Sequence, residues 1–131
     1  MTDGSVLSTS TDKKADRSRY RLAALMGGAG LLHFAIPKPY ESIVPGWIGH
    51  ARAVVYASGA VELACAGFLA GGRTRRMGAW LTLATLLGVY PANIQMAIDV
   101  GVPSDVAGWA AWLRLPLQLP LFVWAFRHTR R

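Results

Sequence analysis

The chain carries a single cysteine, Cys65, among its 131 residues. That excludes an intrachain disulfide, a C-x-x-C redox pair, a cysteine-bound zinc cluster and iron–sulfur ligation. Cys65 itself reads as a small buried apolar residue. Acids are scarce too: 7 Asp and Glu stand against 14 Lys and Arg, a formal net charge of +7. Charged residues of both signs make up only 16%, against roughly 25% in soluble domains, while hydrophobic residues reach 53%. No basic helix face with interleaved aromatics accompanies the positive charge, so nucleic acid is not an expected partner. Of the 14 basic residues, 11 fall in the first 21 positions, in "GGRTRR" at 71–76, or after Phe126.

What the chain does have is apolar length. Residues 1–19, "MTDGSVLSTSTDKKADRSR", have no apolar face and read as a disordered cytoplasmic tail. Four apolar segments follow, at about 20–36, 52–70, 77–98 and 109–126, each near the length that spans hydrocarbon. Tyr20, Trp109 and Trp124 stand where interfacial aromatics would anchor the shorter ones. A four-helix soluble protein would need polar outer faces, which these segments lack. The expected fold is therefore an all-α integral membrane four-helix bundle over 20–127, with 128–131 as a basic C-terminal tail. With four spans, the tail, the 71–76 loop and "RHTRR" lie on one side. The positive-inside rule then puts both termini in the cytoplasm and the protein in the inner (cytoplasmic) membrane.

The loop after the first span, "PKPYESIVPGWIGH", is too apolar for an ordinary connector. Tyr40, Pro45 and Trp47, with Ile43, Val44 and Ile48, are expected to form a lid on the outer end. Within span one, Ala23, Gly27 and Gly30 form a small-residue line that lets another helix come close.

Six polar residues are hard to place against lipid: His33, Ser58, Glu62, Asn93, Arg114 and Gln118. Ser58 with Glu62, and Arg114 with Gln118, repeat a four-residue spacing that puts each pair on one helix face. Buried ionisable groups normally pair inside the protein. Depths estimated from helix rise differ by about 7 Å between Glu62 and Arg114, within reach of a guanidinium arm, so a Glu62–Arg114 pair is expected. Pro91, Pro116 and Pro120 each free a carbonyl four residues upstream, for which Arg, Gln and Asn side chains are the available donors. The set is either glue between helices or an outward-facing polar pocket. Haem is not expected, because His50 and His128 fall outside the spans and leave His33 without a second histidine; no metal set is visible either.

Five segments taken in order, "HFAIPKPYESIVP", "SGAVE", "RRMGAW", "YPAN" and "LRLPLQ", resemble the DoxX-like proteins, small four-span bacterial membrane proteins. The resemblance covers about residues 25–127. It departs at Tyr90, where phenylalanine is the expected residue. The family takes its name from a subunit of a thiosulfate:quinone oxidoreductase. The resemblance thus implies a four-span fold and redox work through a bound quinone or a redox-enzyme partner. No catalytic motif points to an enzyme. The expected function is binding of a small ligand, such as a quinone or lipid, or of a partner, as an accessory to a membrane redox system. A small transporter or channel subunit, built as a homo-oligomer, and a purely structural subunit of a membrane complex are the alternatives.

Overall fold

The computed structural model describes residues 4–131, and side chains from residue 9 onward except that of Ala107. Residues 1–3 of the expected tail lie outside the described residues. Five helices follow in order: α1 (Gly4–Ala35), α2 (Pro37–Glu41), α3 (Ala51–Ala70), α4 (Arg75–Val100) and α5 (Val106–Thr129). No strand occurs among the described residues. The protein is all-helical, and the four apolar segments fall one to a long helix.

The expectation of a disordered tail is corrected from Gly4 onward, because α1 runs unbroken from the polar stretch into the apolar one. Its polar half is tied down where it meets the rest of the chain. The Arg19 guanidinium donates to Leu69 O at 2.5 Å and to Ala70 O at 3.0 Å, and pairs with Asp16 at 2.9 Å. Leu69 and Ala70 close α3, where the last carbonyls have no intrahelical donors. A cation there satisfies them and meets the negative end of the helix dipole.

Helix ends are closed in similar ways elsewhere. Thr74 Oγ1 donates to Phe68 O, and Arg76 Nε to Thr129 O at the end of α5. Asp105 caps the start of α5 by accepting from the Gly108 amide. Gly101 ends α4 at φ 66°, a left-handed conformation that glycine tolerates without a Cβ clash.

In space α1 packs on α3, α3 on α4, and α4 on α5, so each long helix lies against the next long helix in the chain. The contact between α1 and α3 is close because two glycines face each other. A Cβ on Gly30 would lie 2.9 Å from Gly59 O, and one on Gly59 would lie 2.8 Å from both His33 Cβ and the Phe34 ring. The small-residue line read from Ala23, Gly27 and Gly30 is thus a packing seam: Ala23 and Gly30 are buried and Gly27 faces Ala66. Gly78 plays the same part between α4 and the end of α3.

The apolar core lies toward one end. Leu22, Ala23 and Met26 of α1 meet Cys65 and Leu69 of α3, Ala79 and Leu86 of α4, and Ala125 of α5. All three basic clusters gather at that same end, here called the basic end. α1 and α5 meet there through Ser18, which touches both Trp124 and His128. The far end holds α2, the 42–50 loop and the α4–α5 turn.

Two helices, α3 and α4, are long and apolar enough to cross a membrane. Only 22% of each apolar stretch is buried within the protein, so these are not core helices of an ordinary soluble fold. Large apolar side chains face outward on all four long helices, among them Leu31, Tyr56, Leu87, Ile98, Leu113 and Leu117.

Candidate functional site

Five of the six polar residues expected inside the chain fall into two groups that four helices bring to its middle and far half, and Arg114 joins neither. In the first, α1 and α3 place His33 beside Glu62. His33 Nδ1 lies 2.7 Å from Ala29 O, one turn back, and a carbonyl only accepts, so Nδ1 carries the proton. The same Nδ1 stands 3.2 Å from Glu62 Oε2. Its single N–H is directed to Ala29, so Glu62 Oε2 is buried without a hydrogen bond of its own. The gap between the glycines fixes this arrangement, because a Cβ at Gly59 would collide with His33 itself. Ser58, one turn from Glu62, is half-buried and makes no hydrogen bond among the described residues.

In the second group, α4 and α5 place Asn93 against Gln118. Asn93 Nδ2 donates to Gln118 Oε1 at 2.8 Å, and Gln118 Nε2 donates to Leu86 O at 2.6 Å. Both side chains are buried, and each polar bond there replaces one that water would have made. Leu86 lies one residue before Leu87, whose carbonyl loses its helical donor to Pro91. The proline-weakened stretch of α4 therefore takes a side-chain donor from α5, close to where the sequence argument looked for one.

Arg114 is the correction. The expected Glu62–Arg114 ion pair does not form; the nearest partner of Glu62 is His33. Arg114 is half-buried and makes no hydrogen bond or ion pair among the described residues. Helix rise puts the two residues at comparable heights but carries no information on lateral separation. α3 and α5 are not neighbours in the packing order, so the arm must cross from one to the other.

The lid is corrected in part. Tyr40, on α2, stacks over His33 with ring centroids 4.0 Å apart and planes inclined by 26°. Pro45, Ile43 and Val44 are half-buried. Trp47 does not pack on the helices; it is 85% exposed, and Ile48 is exposed as well. The turn through Gly49 and His50, both left-handed, directs this stretch away from the helix ends. Arg52 and Glu41, 2.6 Å apart, then hold α2 to the start of α3.

Among the described residues no three His, Cys, Asp or Glu side chains converge as a metal-holding group. Cys65 is buried, with its sulfur 3.6 Å from the Thr85 hydroxyl.

A second polar constellation, at the basic end, was not read from the sequence. Trp124 Nε1 donates to Ser18 Oγ at 2.8 Å, and Ser18 Oγ lies 3.1 Å from His128 Nε2. The serine accepts from the indole, which leaves its hydroxyl proton for a neutral imidazole. Burial holds the His128 pKa below its ordinary value, and the charges of Arg131 and Arg19 push it the same way. Its members are 110 positions apart at the extreme, and Ser18 sat in a stretch read as tail. Only the aromatic character of Trp124 hinted at an interfacial role.

Comparison with known proteins adds a family. Residues 22–129 match the model of a domain of unknown function, DUF8561, and the chain belongs to that family. No curated protein and no solved structure matches.

Proposed function

We propose that this protein is a four-span integral protein of the cytoplasmic membrane, DoxX-like in type, with both termini in the cytoplasm. Its outer-half polar cluster binds a small amphipathic ligand, of the quinone or quinol class, as an accessory to a membrane redox system. The membrane setting draws support from α3 and α4 and from the apolar side chains turned outward on every long helix. Left in water, those side chains would cost about 25 cal/mol per Å². The gathering of the basic clusters at one end agrees with a cytoplasmic face. Trp47 and Ile48, exposed at the far end, then lie at headgroup depth, where an amphipathic indole is stable.

One observation carries the ligand reading. Glu62 and Arg114 make no ion pair with each other; Glu62 Oε2 is buried without a hydrogen bond, and half-buried Arg114 makes none among the described residues. Helix packing alone is served best by direct neutralisation, because an uncompensated charge in hydrocarbon is costly. A molecule with a hydroxyl and a carbonyl at opposite edges meets both needs. Its hydroxyl donates to the Glu62 carboxylate, and its carbonyl accepts from the Arg114 guanidinium. The stacked His33–Tyr40 rings supply an aromatic wall beside it. With no cysteine pair in the chain, electrons would pass through the ligand and a partner rather than through the protein's own side chains.

Native mass spectrometry of the detergent-purified protein tests this. The wild-type chain should retain a quinone-class molecule, and Glu62→Gln and Arg114→Met should each lose it while remaining folded. Equal retention by both variants would refute the reading.

A further inference from the structure

We infer that the hollow between α1 and α5 at the basic end binds the phosphate of an anionic phospholipid. It has a volume of about 360 Å³ and is lined by Lys14, Arg17, Ser18, Arg21 and Trp124. The assignment rests on the membrane reading above and is independent of the quinone site.

Lys14, Arg17 and Arg21 stand at i, i+3 and i+7, on one face of α1. None of the three makes an ion pair or a hydrogen bond among the described residues, and no carboxylate lines the hollow. The neighbouring hollow, of about 490 Å³, differs in this respect. It is lined by Arg19, Arg75, His128 and Arg131 but also by Asp12 and Asp16. Asp16 is paired with Arg19 there, and an incoming phosphate would meet its negative charge. The three free cations are on the other side of Ser18.

The wall opposite the cations is Trp124. Its bond to Ser18 Oγ fixes the indole across the α1–α5 contact, and tryptophan is enriched at headgroup depth. Below the cations the same face of α1 turns apolar. Arg21 is followed at i+4, i+7 and i+11 by Leu25, Gly28 and Leu32, all exposed. A Cβ on Gly28 would meet nothing within 4 Å, so the helix leaves open space there. On α5, Pro120, Leu117 and Leu113 descend from Trp124 in matching steps and are exposed as well. The seam therefore has a cationic top and an apolar lower wall, the order of groups in a phospholipid. Soluble phosphate would use the first and leave the second idle.

The test reconstitutes the full chain into bilayers with equimolar phosphatidylglycerol and phosphatidylcholine. Lipids retained after mild extraction are then identified by native mass spectrometry. The wild-type chain should carry phosphatidylglycerol in at least about tenfold preference, given the attraction of three juxtamembrane cations. The variant Lys14→Gln/Arg17→Gln/Arg21→Gln should fall to the mixing ratio. The variant Arg73→Gln/Arg127→Gln/Arg130→Gln, which removes the same charge from the same end outside the hollow, should keep the preference. Circular dichroism and melting check that both remain folded, as expected for exposed side chains. No preference in the wild type, or equal loss in both variants, would overturn the site. Displacement of the lipid by inorganic phosphate as effectively as by added phosphatidylglycerol would reassign the hollow to soluble anions and overturn the lipid assignment. A chain that washes off membranes in alkaline carbonate would instead break the membrane reading on which the site rests.

Discussion

The two ends of the molecule are held by different means. At the basic end Leu22, Met26, Cys65, Leu69 and Ala79 pack into an apolar core. Above it, arginines take up the carbonyls that helices leave open, Arg19 on α3 and Arg76 on α5. In the middle and far half no comparable apolar cluster forms among the described residues. The buried positions there include Gly59, Asn93 and Gln118, and beside them stand His33, Glu62 and Arg114. Packing and capping make the basic end a rigid base. In the other half, polar groups are left with capacity that the protein itself does not use. Stability rests on the first region, and the second is where the proposed quinone-class ligand would be held.

The largest effect that would sharpen this contrast comes from the core. Leu69→Ala, at a fully buried site, should lower stability in detergent by about 2–5 kcal/mol. Val55→Ala, equally enclosed but in the other half, should cost clearly less, about 1 kcal/mol, since it removes fewer atoms from a looser region. Thermal melts of the two variants decide it, and a larger loss from Val55 would reverse the assignment of the rigid end.

Next in size is the glycine seam. Gly59→Leu forces a side chain into space held by His33, Phe34 and the Gly30 carbonyl. Overpacking of this kind costs about 1–3 kcal/mol. It should also abolish ligand retention, because His33 cannot keep its place beside Glu62. Gly28→Leu, at an open position of α1, should leave both melting and quinone retention unchanged.

These expectations depend on features of unequal legibility in the sequence. The four long helices were readable because apolar length and breaks at "GGRTRR" and "GVPSD" leave little choice. The Asn93–Gln118 bond was half readable. Pro91 pointed to a weakened stretch of α4 and Gln118 was one of few donors, but that Gln118 bonds the neighbouring Leu86 carbonyl depended on the packing of α4 against α5. The Glu62 partner was not readable. Residue spacing gives height along a helix and says nothing of the distance between helices, and the choice of His33 over Arg114 was made by Gly30 and Gly59 drawing α1 onto α3. The helical state of 4–19 was missed for a similar reason. A polar helix has no periodicity to betray it, and Arg19 binds the end of α3 only once α3 exists.

A smaller effect probes the basic end by pH. The folded protein holds His128 below its ordinary value of 6.5, so the unfolded chain binds the proton more readily. The contribution of neutral His128 is complete above about pH 6.5 and is lost as pH falls below it toward the folded value. Arg19, Arg131 and Arg75 around it keep their charge throughout that range, and Asp12 and Asp16 also line that hollow. The melting temperature should therefore fall on acidification below about pH 6.5, and His128→Asn should flatten that part of the profile.

The most direct test of the central claim is a double-mutant cycle on Glu62 and Arg114, run by thermal melting with the quinone-class ligand removed and then restored. Glu62→Gln, Arg114→Met and the double variant should be nearly additive in the ligand-free protein, because the two side chains do not touch. With ligand restored to the wild type, a coupling of about 1 kcal/mol or more should appear, since each single variant already loses the bridge that both residues hold. Strong coupling in the ligand-free protein would mean that Glu62 and Arg114 neutralise each other directly, and additivity unchanged by ligand would mean that nothing bridges them; either result contradicts the account.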